Sequence, residues 1–431
     1  MLLIYTHKIT PRFSFTMRQV CGNILGLDID FTTKVEDFIK HKGPKITYTK
    51  QPLQNEFFIR SNDLLFEQGI NDIAIHVDEW DDVPCFFRAG DRSNVPFDIF
   101  AASFYLLSRY EEYLPHVKDE LGRFPAKESI AHQNGFLKLP VVDLWAYKFG
   151  HLLSERFPEI NPPKRSYSFT SIINVTTSHN YAHRGVARTL GGLLLDLVSF
   201  RLRALFRRLG VLFGFRKDPY DNFMELVEIH KKFRAKTLFF FQFAKYSVHN
   251  KNVSPLNNKF RYLIKSVADY SIVSLSASHE ASLEHQKLVE EKKSLSELIN
   301  RPVNYSRLRY NRVNIPVTYR NVIDAEFTDD YTMGYSSEIG FRAGTCTPFY
   351  FYDITLEVRQ PLRMHPFVVY DYALHDFKKK DQIFDEIDPI YRTVKRVNGH
   401  FTTVFSNELL GSKHRINWLE LYEAFLKRYY V

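Results

Sequence analysis

Ser168-Phe169-Thr170-Ser171-Ile172-Ile173-Asn174-Val175 is an unbroken run of β-branched, aromatic and hydroxyl side chains without Gly or Pro, and it reads as a buried strand. The runs 237–243 and 271–275 have the same character. Helix-like stretches at 223–233 and 280–300 separate them, with apolar residues every three or four positions. Strands and helices in that alternation imply parallel strands wrapped by helices, hence an α/β barrel or a doubly wound sheet.

Upstream, Pro158, Pro162 and Pro163, with Lys164 and Arg165 beside them, mark a boundary near 158–166. It divides a first unit, 1–160, from a second, 166–431. Within the first unit, Met1-Leu2-Leu3-Ile4-Tyr5 and Asp72-Ile73-Ala74-Ile75-His76-Val77 read as strands, and 96–113 and 141–157 as helices. Glu111 and Glu112 are neighbours on that first helix, so they point apart and read as a solvated pair, not a catalytic dyad.

Between the first two strands of the second unit, residues 193–217 read as one long apolar helix. It carries Arg201, Arg203, Arg207, Arg208, Arg216 and Lys217 against a single acid, Asp196. Gly210 and Gly214 interrupt it. Such a segment suits peripheral contact with an anionic membrane. The alternative is an ordinary packed helix whose arginines snorkel into water.

The 431 residues are 45% hydrophobic and 25% charged, which is the balance of a globular chain. A formal charge of +9 favours anionic lipid, phosphate or acidic polymers as partners. The basic residues are scattered, and no nucleic-acid module or phosphate-cradling glycine loop is present, so nucleic acid is not an expected partner. Cys21, Cys85 and Cys346 lie far apart and form no metal spacing. With no signal peptide and no spanning apolar run, the expected location is cytoplasmic, peripheral to the inner membrane.

Within the second unit, Asp329-Asp330-Tyr331-Thr332-Met333-Gly334-Tyr335 is followed by Gly340-Phe341-Arg342-Ala343-Gly344-Thr345. Pro348-Phe349-Tyr350-Phe351-Tyr352-Asp353, Met364-His365-Pro366-Phe367 and Val397-Asn398-Gly399-His400-Phe401 continue the pattern. Together these resemble the polysaccharide deacetylase family (carbohydrate esterase family 4, the chitooligosaccharide deacetylase type). Leu107-Ser108-Arg109-Tyr110-Glu111-Glu112-Tyr113 and Gly122-Arg123-Phe124 are similar to the α/β companion domain of unknown function that precedes one branch of it. The resemblance implies a C-terminal distorted (β/α) barrel. It also implies a divalent metal, usually zinc, held by one Asp and two His, with a carboxylate base and a His acid. An Arg in the glycine-flanked motif typically orients the base.

Those roles fall on other residue types here. The Asp-x-Asp position reads Asn174-Val175-Thr176. Ser276 and Arg309 stand where His is expected, and Ser406 stands at the acid. An amide cannot act as a base, hydroxyls are poor zinc ligands, and a guanidinium is a permanent cation. The expected protein is therefore a deacetylase-like relative without the activity and without a cofactor, binding or scaffolding glycan or polysaccharide-biosynthesis proteins. Arg309, Arg342, Asp371, Glu408 and Tyr350 are the expected ligand-binding residues, with Arg309 and Arg342 forming a clamp for a carboxylate or phosphate. The alternative is an active, divergent metal-dependent hydrolase of acetylated sugars. Its relocated metal would sit on His179 and His183, four residues apart, with His279 or His285 as a further ligand. Ser276 and Ser406 lack the context of a nucleophile elbow.

Overall fold

A computed structural model describes residues 1–160, 165–412 and 416–430, and it is α/β. Strands β1 (Leu2–Thr6), β2 (Ile29–Thr32), β3 (Lys45–Thr49) and β4 (Phe57–Arg60) pair in parallel in the order β2-β1-β3-β4. Parallel pairing needs crossovers. Helix α1 (Pro11–Met17), prolonged by a π-helical turn at Arg18–Ile24, carries the chain from β1 to β2, and α2 (Val35–Lys40) carries it on to β3. The Thr10 hydroxyl caps α1 by accepting from the Phe13 N–H, and Pro11 occupies the first helical turn. A hairpin, β5 (Val77–Trp80) and β6 (Val83–Phe86), precedes α3 (Ile99–Leu107), α4 (Ile130–Gln133) and α5 (Val141–Arg156).

The remaining chain builds a larger sheet from β7 (Ser168–Val175), β8 (Thr237–Phe241), β9 (Ile272–Ala277), β10 (Tyr305–Leu308), β11 (Asp329–Asp330), β12 (Phe349–Asp353), β13 (Val358–Met364), β14 (Val369–Tyr370) and β15 (His400–Ser406). Its order among the described residues is β12-β13-β11-β10-β9-β8-β7-β15-β14. Every neighbouring pair is parallel except β12 with β13. Helices α6 (Val186–Val198), α7 (Leu202–Leu212) and α8 (Phe223–Phe233) link β7 to β8. Then α9 (Asn258–Ala268), α10 (His285–Ile299) and α11 (Val317–Asp324) link successive strands up to β11. Helix α12 (Lys380–Arg396) precedes β15, and α13 (Asn407–Leu410) and α14 (Trp418–Tyr429) follow it.

The sheet curls. On a flat sheet with strands about 4.8 Å apart, β10 and β14 would lie about 24 Å from each other. Instead Ile172, Leu238, Phe240, Phe367, Tyr370 and Val404 share one buried cluster, with Tyr305 of β10 packed against it. The Phe367 N–H donates to the Met333 carbonyl at 3.0 Å, and the Val368 N–H donates to the Thr402 carbonyl at 3.0 Å. Residues leaving β13 therefore bridge the run after β11 to β15. Side chains of opposite parity, such as Ile173, Val175, Phe239, Phe241 and Leu275, face the helices and join the main core. That core also contains Phe13, Ile46, Phe104 and Trp145, so both sheets share it.

Three local expectations change. The helix expected over 96–113 stops at Leu107, because Arg109 adopts a left-handed conformation (φ 55°) that starts a separate 3₁₀ turn at Tyr110–Glu112. The strand expected over 72–77 begins only at Val77. Segment 193–217 is two helices, broken at Phe200 (φ 51°); Gly210 lies within the second, and Gly214 (φ 78°) follows its end as expected. Pro162, Pro163 and Lys164 of the expected boundary lie outside the described residues.

Glu111 and Glu112 are buried, not solvated. Arg109 donates from Nη2 to Glu111 and from Nε to Glu112, each at 2.7 Å. Arg342 completes the set from the far side of the chain, donating to both Glu112 oxygens at 2.8 and 2.6 Å. Two guanidiniums hold the Glu112 carboxyl down at about 2 against the opposing effect of burial. A few residues on, Asp143 of α5 accepts from the Thr345 hydroxyl at 2.6 Å and the Cys346 N–H at 2.9 Å. Residues 340–347 are thus the joint between α3–α5 and the large sheet.

Candidate functional site

The parallel strands end with their carboxyl ends on one side, where loops gather side chains from different strands. Asn174 and Ser406 are in register on β7 and β15, and Ser276 and Arg307 are in register on β9 and β10. Asn174 donates from Nδ2 to the Tyr370 hydroxyl at 3.4 Å, and the Arg307 guanidinium lies 5.2 Å from the Tyr370 ring. Tyr370 therefore joins the two halves of this end. Ser406 donates both its N–H (2.6 Å) and its hydroxyl (2.7 Å) to one oxygen of Asp371. Thr176 donates to Glu408 at 2.5 Å. Arg309, just past β10, donates to Gln242 at 2.9 Å and lies 4.7 Å from the Tyr310 ring. Thr176 and Gln242 directly follow the paired strands β7 and β8, so Glu408 and Arg309 flank the same mouth, and the exposed Tyr372 follows Asp371.

Several buried polar atoms here have no partner: Asn174 Oδ1, Ser276 Oγ, Arg307 Nε, Arg309 Nε and Asp371 Oδ1. Burial pushes the Asp371 carboxyl up to about 7 and lowers the pKa of Arg307. An open depression of about 440 Å³, bordered by Lys236, Asp269 and Arg301, lies at the opposite ends of β8 and β9. It shares no residue with this group.

The structure brings together Asn174, Thr176, Ser276, Arg309, Ser406, Asp371 and Glu408. It does not bring in Arg342 or Tyr350. Arg342 is spent on Glu112 and the joint, so the clamp expected from Arg309 and Arg342 does not form. The role of orienting a base is likewise absent, because the carboxylate Arg342 holds belongs to α3's continuation. Tyr350 pairs with Arg363, which is level with Asp329 and hence with Tyr305, four residues before Arg309 on the strand path. That offset is about 13 Å, and the Tyr350 ring carries Arg359 instead, at 4.7 Å. Sequence reading missed Gln242, Arg307 and Tyr370. Only the two-residue spacing of Arg307 and Arg309, which puts them on one face of a strand, offered a signal.

A divalent metal does not fit this donor set. The hydroxyls of Thr176 and Ser406 already donate to carboxylates, Asn174 offers one neutral oxygen, and Arg309 brings a fixed cation. The rings of His179 and His183 do meet, with centroids 4.9 Å apart, but on a loop and not a helix. His279 instead packs against His249, ring centroids 4.2 Å apart and tilted by 42°, and His285 faces the Asn321 carbonyl. Among the described residues no three His, Cys, Asp or Glu side chains converge to hold a metal. Neither the Ser276 nor the Ser406 hydroxyl hydrogen-bonds an imidazole there.

A family of unknown function, DUF7033, matches residues 2–158. No curated protein matches the chain. Among solved structures, a putative polysaccharide deacetylase from Mycobacterium smegmatis is similar at 12% identity, covering 62% of this chain and 86% of its own, with a TM-score of 0.39. A probable polysaccharide deacetylase from Pseudomonas aeruginosa is similar at 10% identity, with coverage of 62% and 88% and a TM-score of 0.40. A mutant of a CE4-family pseudoenzyme with restored enzymatic activity is similar at 10% identity, with coverage of 61% and 63% and a TM-score of 0.31. These values are too low to place the chain in that family.

Proposed function

We propose that the chain is a polysaccharide-deacetylase-like protein, a distorted (β/α) barrel behind an N-terminal α/β companion, that holds a glycan without cleaving it. The observation that carries this reading is the ring of unpartnered buried polar atoms at the strand ends, on Asn174, Ser276, Arg309 and Asp371. Neutral acceptors and donors beside the guanidiniums of Arg307 and Arg309 suit the hydroxyl and acetamido groups of a sugar together with an anionic substituent. The aromatic rings of Tyr310 and Tyr372 add surfaces against which a sugar ring packs. Among the described residues, the three metal ligands that hydrolysis by a metal-bound water requires are missing.

The test is calorimetric titration of the purified chain with acetylated and acidic oligosaccharides, beside assays for bound metal and released acetate. The expected result is binding that Arg309→Ala weakens about tenfold or more, with no acetate released when zinc is supplied. Stoichiometric metal together with acetate release would overturn the reading in favour of a divergent deacetylase. No binding to any glycan tested would leave a purely structural module.

A further inference from the structure

Helices α6 and α7 form a hairpin inserted between β7 and α8, on the side of the sheet where the candidate site opens. An amphipathic helix on a globular protein turns its apolar stripe inward. This hairpin does the reverse. Asp196 and Val211 are the buried residues of its two helices, and Arg208 ion-pairs with Asp196 at 2.8 Å while stacking on Tyr181 at 4.9 Å. Gly192 makes room for that contact, since a Cβ there would lie 2.3 Å from Arg208 Nη1. Leu190, Leu194 and Val198, and then Phe200, Phe206 and Phe213, face solvent, with Phe200 87% exposed. Leu202 and Phe206 of α7, continued by Phe213 at its cap, form a stripe about 40° wide, and Arg203 and Arg207 lie together on one side of it, about 80–120° from its centre. Arg201, Arg203, Arg207 and Arg216 are exposed and make no ion pair among the described residues.

We infer that the α6–α7 hairpin is a docking element for an anionic membrane surface, lying in the lipid interface with its apolar stripe down and its arginines at the headgroups. Charge selects this occupant: within 186–217 the one acid is consumed internally by Arg208, and every free charge is a cation. No helix among the described residues is long and apolar enough to cross a bilayer, so the contact is interfacial. This inference does not depend on the glycan reading, because no residue of the candidate site takes part.

The experiment is flotation of the full chain with phosphatidylcholine vesicles prepared with and without phosphatidylserine. The variants are Phe200→Ser/Phe206→Ser and Arg203→Glu/Arg207→Glu. All four positions are exposed, and unchanged circular dichroism and melting temperature verify that the variants fold. The expected result is flotation with phosphatidylserine vesicles that falls at least tenfold without phosphatidylserine and at least tenfold in each variant. Failure of the wild-type chain to float would overturn the inference. So would equal flotation of the charge-reversed variant. A wild-type dimer that Phe200→Ser/Phe206→Ser converts to monomer, without flotation, would assign the face to a second copy of the chain.

Discussion

At the residue scale, the guanidinium of Arg342 contributes to stability and not to recognition. It is buried, bidentate to Glu112, and shares that carboxylate with Arg109. Truncating one partner of a buried pair leaves the other charge uncompensated, which costs about 3–5 kcal/mol. Arg342→Ala is expected to lower the urea midpoint by that measure, and Arg342→Lys is expected to recover only part of it, because an ammonium cannot form the fork. An unchanged midpoint would return Arg342 to the list of ligand contacts. Asp371 gives a pH signature of the opposite kind. Burial raises its carboxyl from 3.8 to about 7, a displacement worth at most roughly 4 kcal/mol. The folded chain keeps a proton there that the unfolded chain releases. This contribution to stability is therefore complete below about pH 4 and lost as pH rises through about 7. Asp330, raised to about 6, acts in the same direction. The melting temperature is expected to fall between about pH 4 and 7, and less steeply in Asp371→Asn. Parallel slopes in the two proteins would show that Asp371 is already ionised in the fold.

At the element scale, the glycine-flanked motif is a mortise for α3 and α5. Gly344 has φ 62°, and a Cβ there would lie 2.7 Å from Leu106 Cδ1 of α3. Its carbonyl accepts from the Val142 N–H of α5 at 3.0 Å. Gly344→Ala combines left-handed strain with a clash and is expected to cost about 1–3 kcal/mol. Thermal melting checks this, and a shift within error would mean that the joint relaxes freely. Elements carried by local pattern were legible in the sequence. Ser168–Val175 and Phe223–Phe233 form with the ends their periodicity marked, and 237–243, 271–275 and 280–300 hold β8, β9 and α10 with ends displaced by up to five residues. The long helix at 96–113 and the single helix at 193–217 were misread for one reason. Each is broken by a non-glycine residue at positive φ, Arg109 or Phe200, which only neighbouring contacts can impose.

At the scale of the whole molecule, the two sheets share a continuous core, and the Arg109–Glu112–Arg342 network crosses between them. Cores joined in this way unfold together. Urea unfolding is expected to be a single transition, coincident by far-UV circular dichroism and tryptophan fluorescence. Two separated transitions would show that the unit expected at 1–160 folds independently of the rest.

Asn174, Thr176, Ser276, Arg309, Ser406, Asp371 and Glu408 were picked out in the sequence through the family resemblance, and they do gather at one end of the large sheet. The partners Gln242, Arg307 and Tyr370 were not, because they meet across the curled sheet from segments up to about 130 residues apart, and no spacing rule spans that distance. The sequence by itself determined the α/β class and the principal strands and helices of the second unit. Those depend on residue type and short-range periodicity. Only the tertiary structure decided that Glu111 and Glu112 are buried, that Arg342 belongs to a joint and Arg309 to a mouth, and that the α6–α7 hairpin turns its apolar face outward. Charge neutralisation and burial are properties of neighbours in space, and the same Arg or Glu takes either role according to what the fold places beside it.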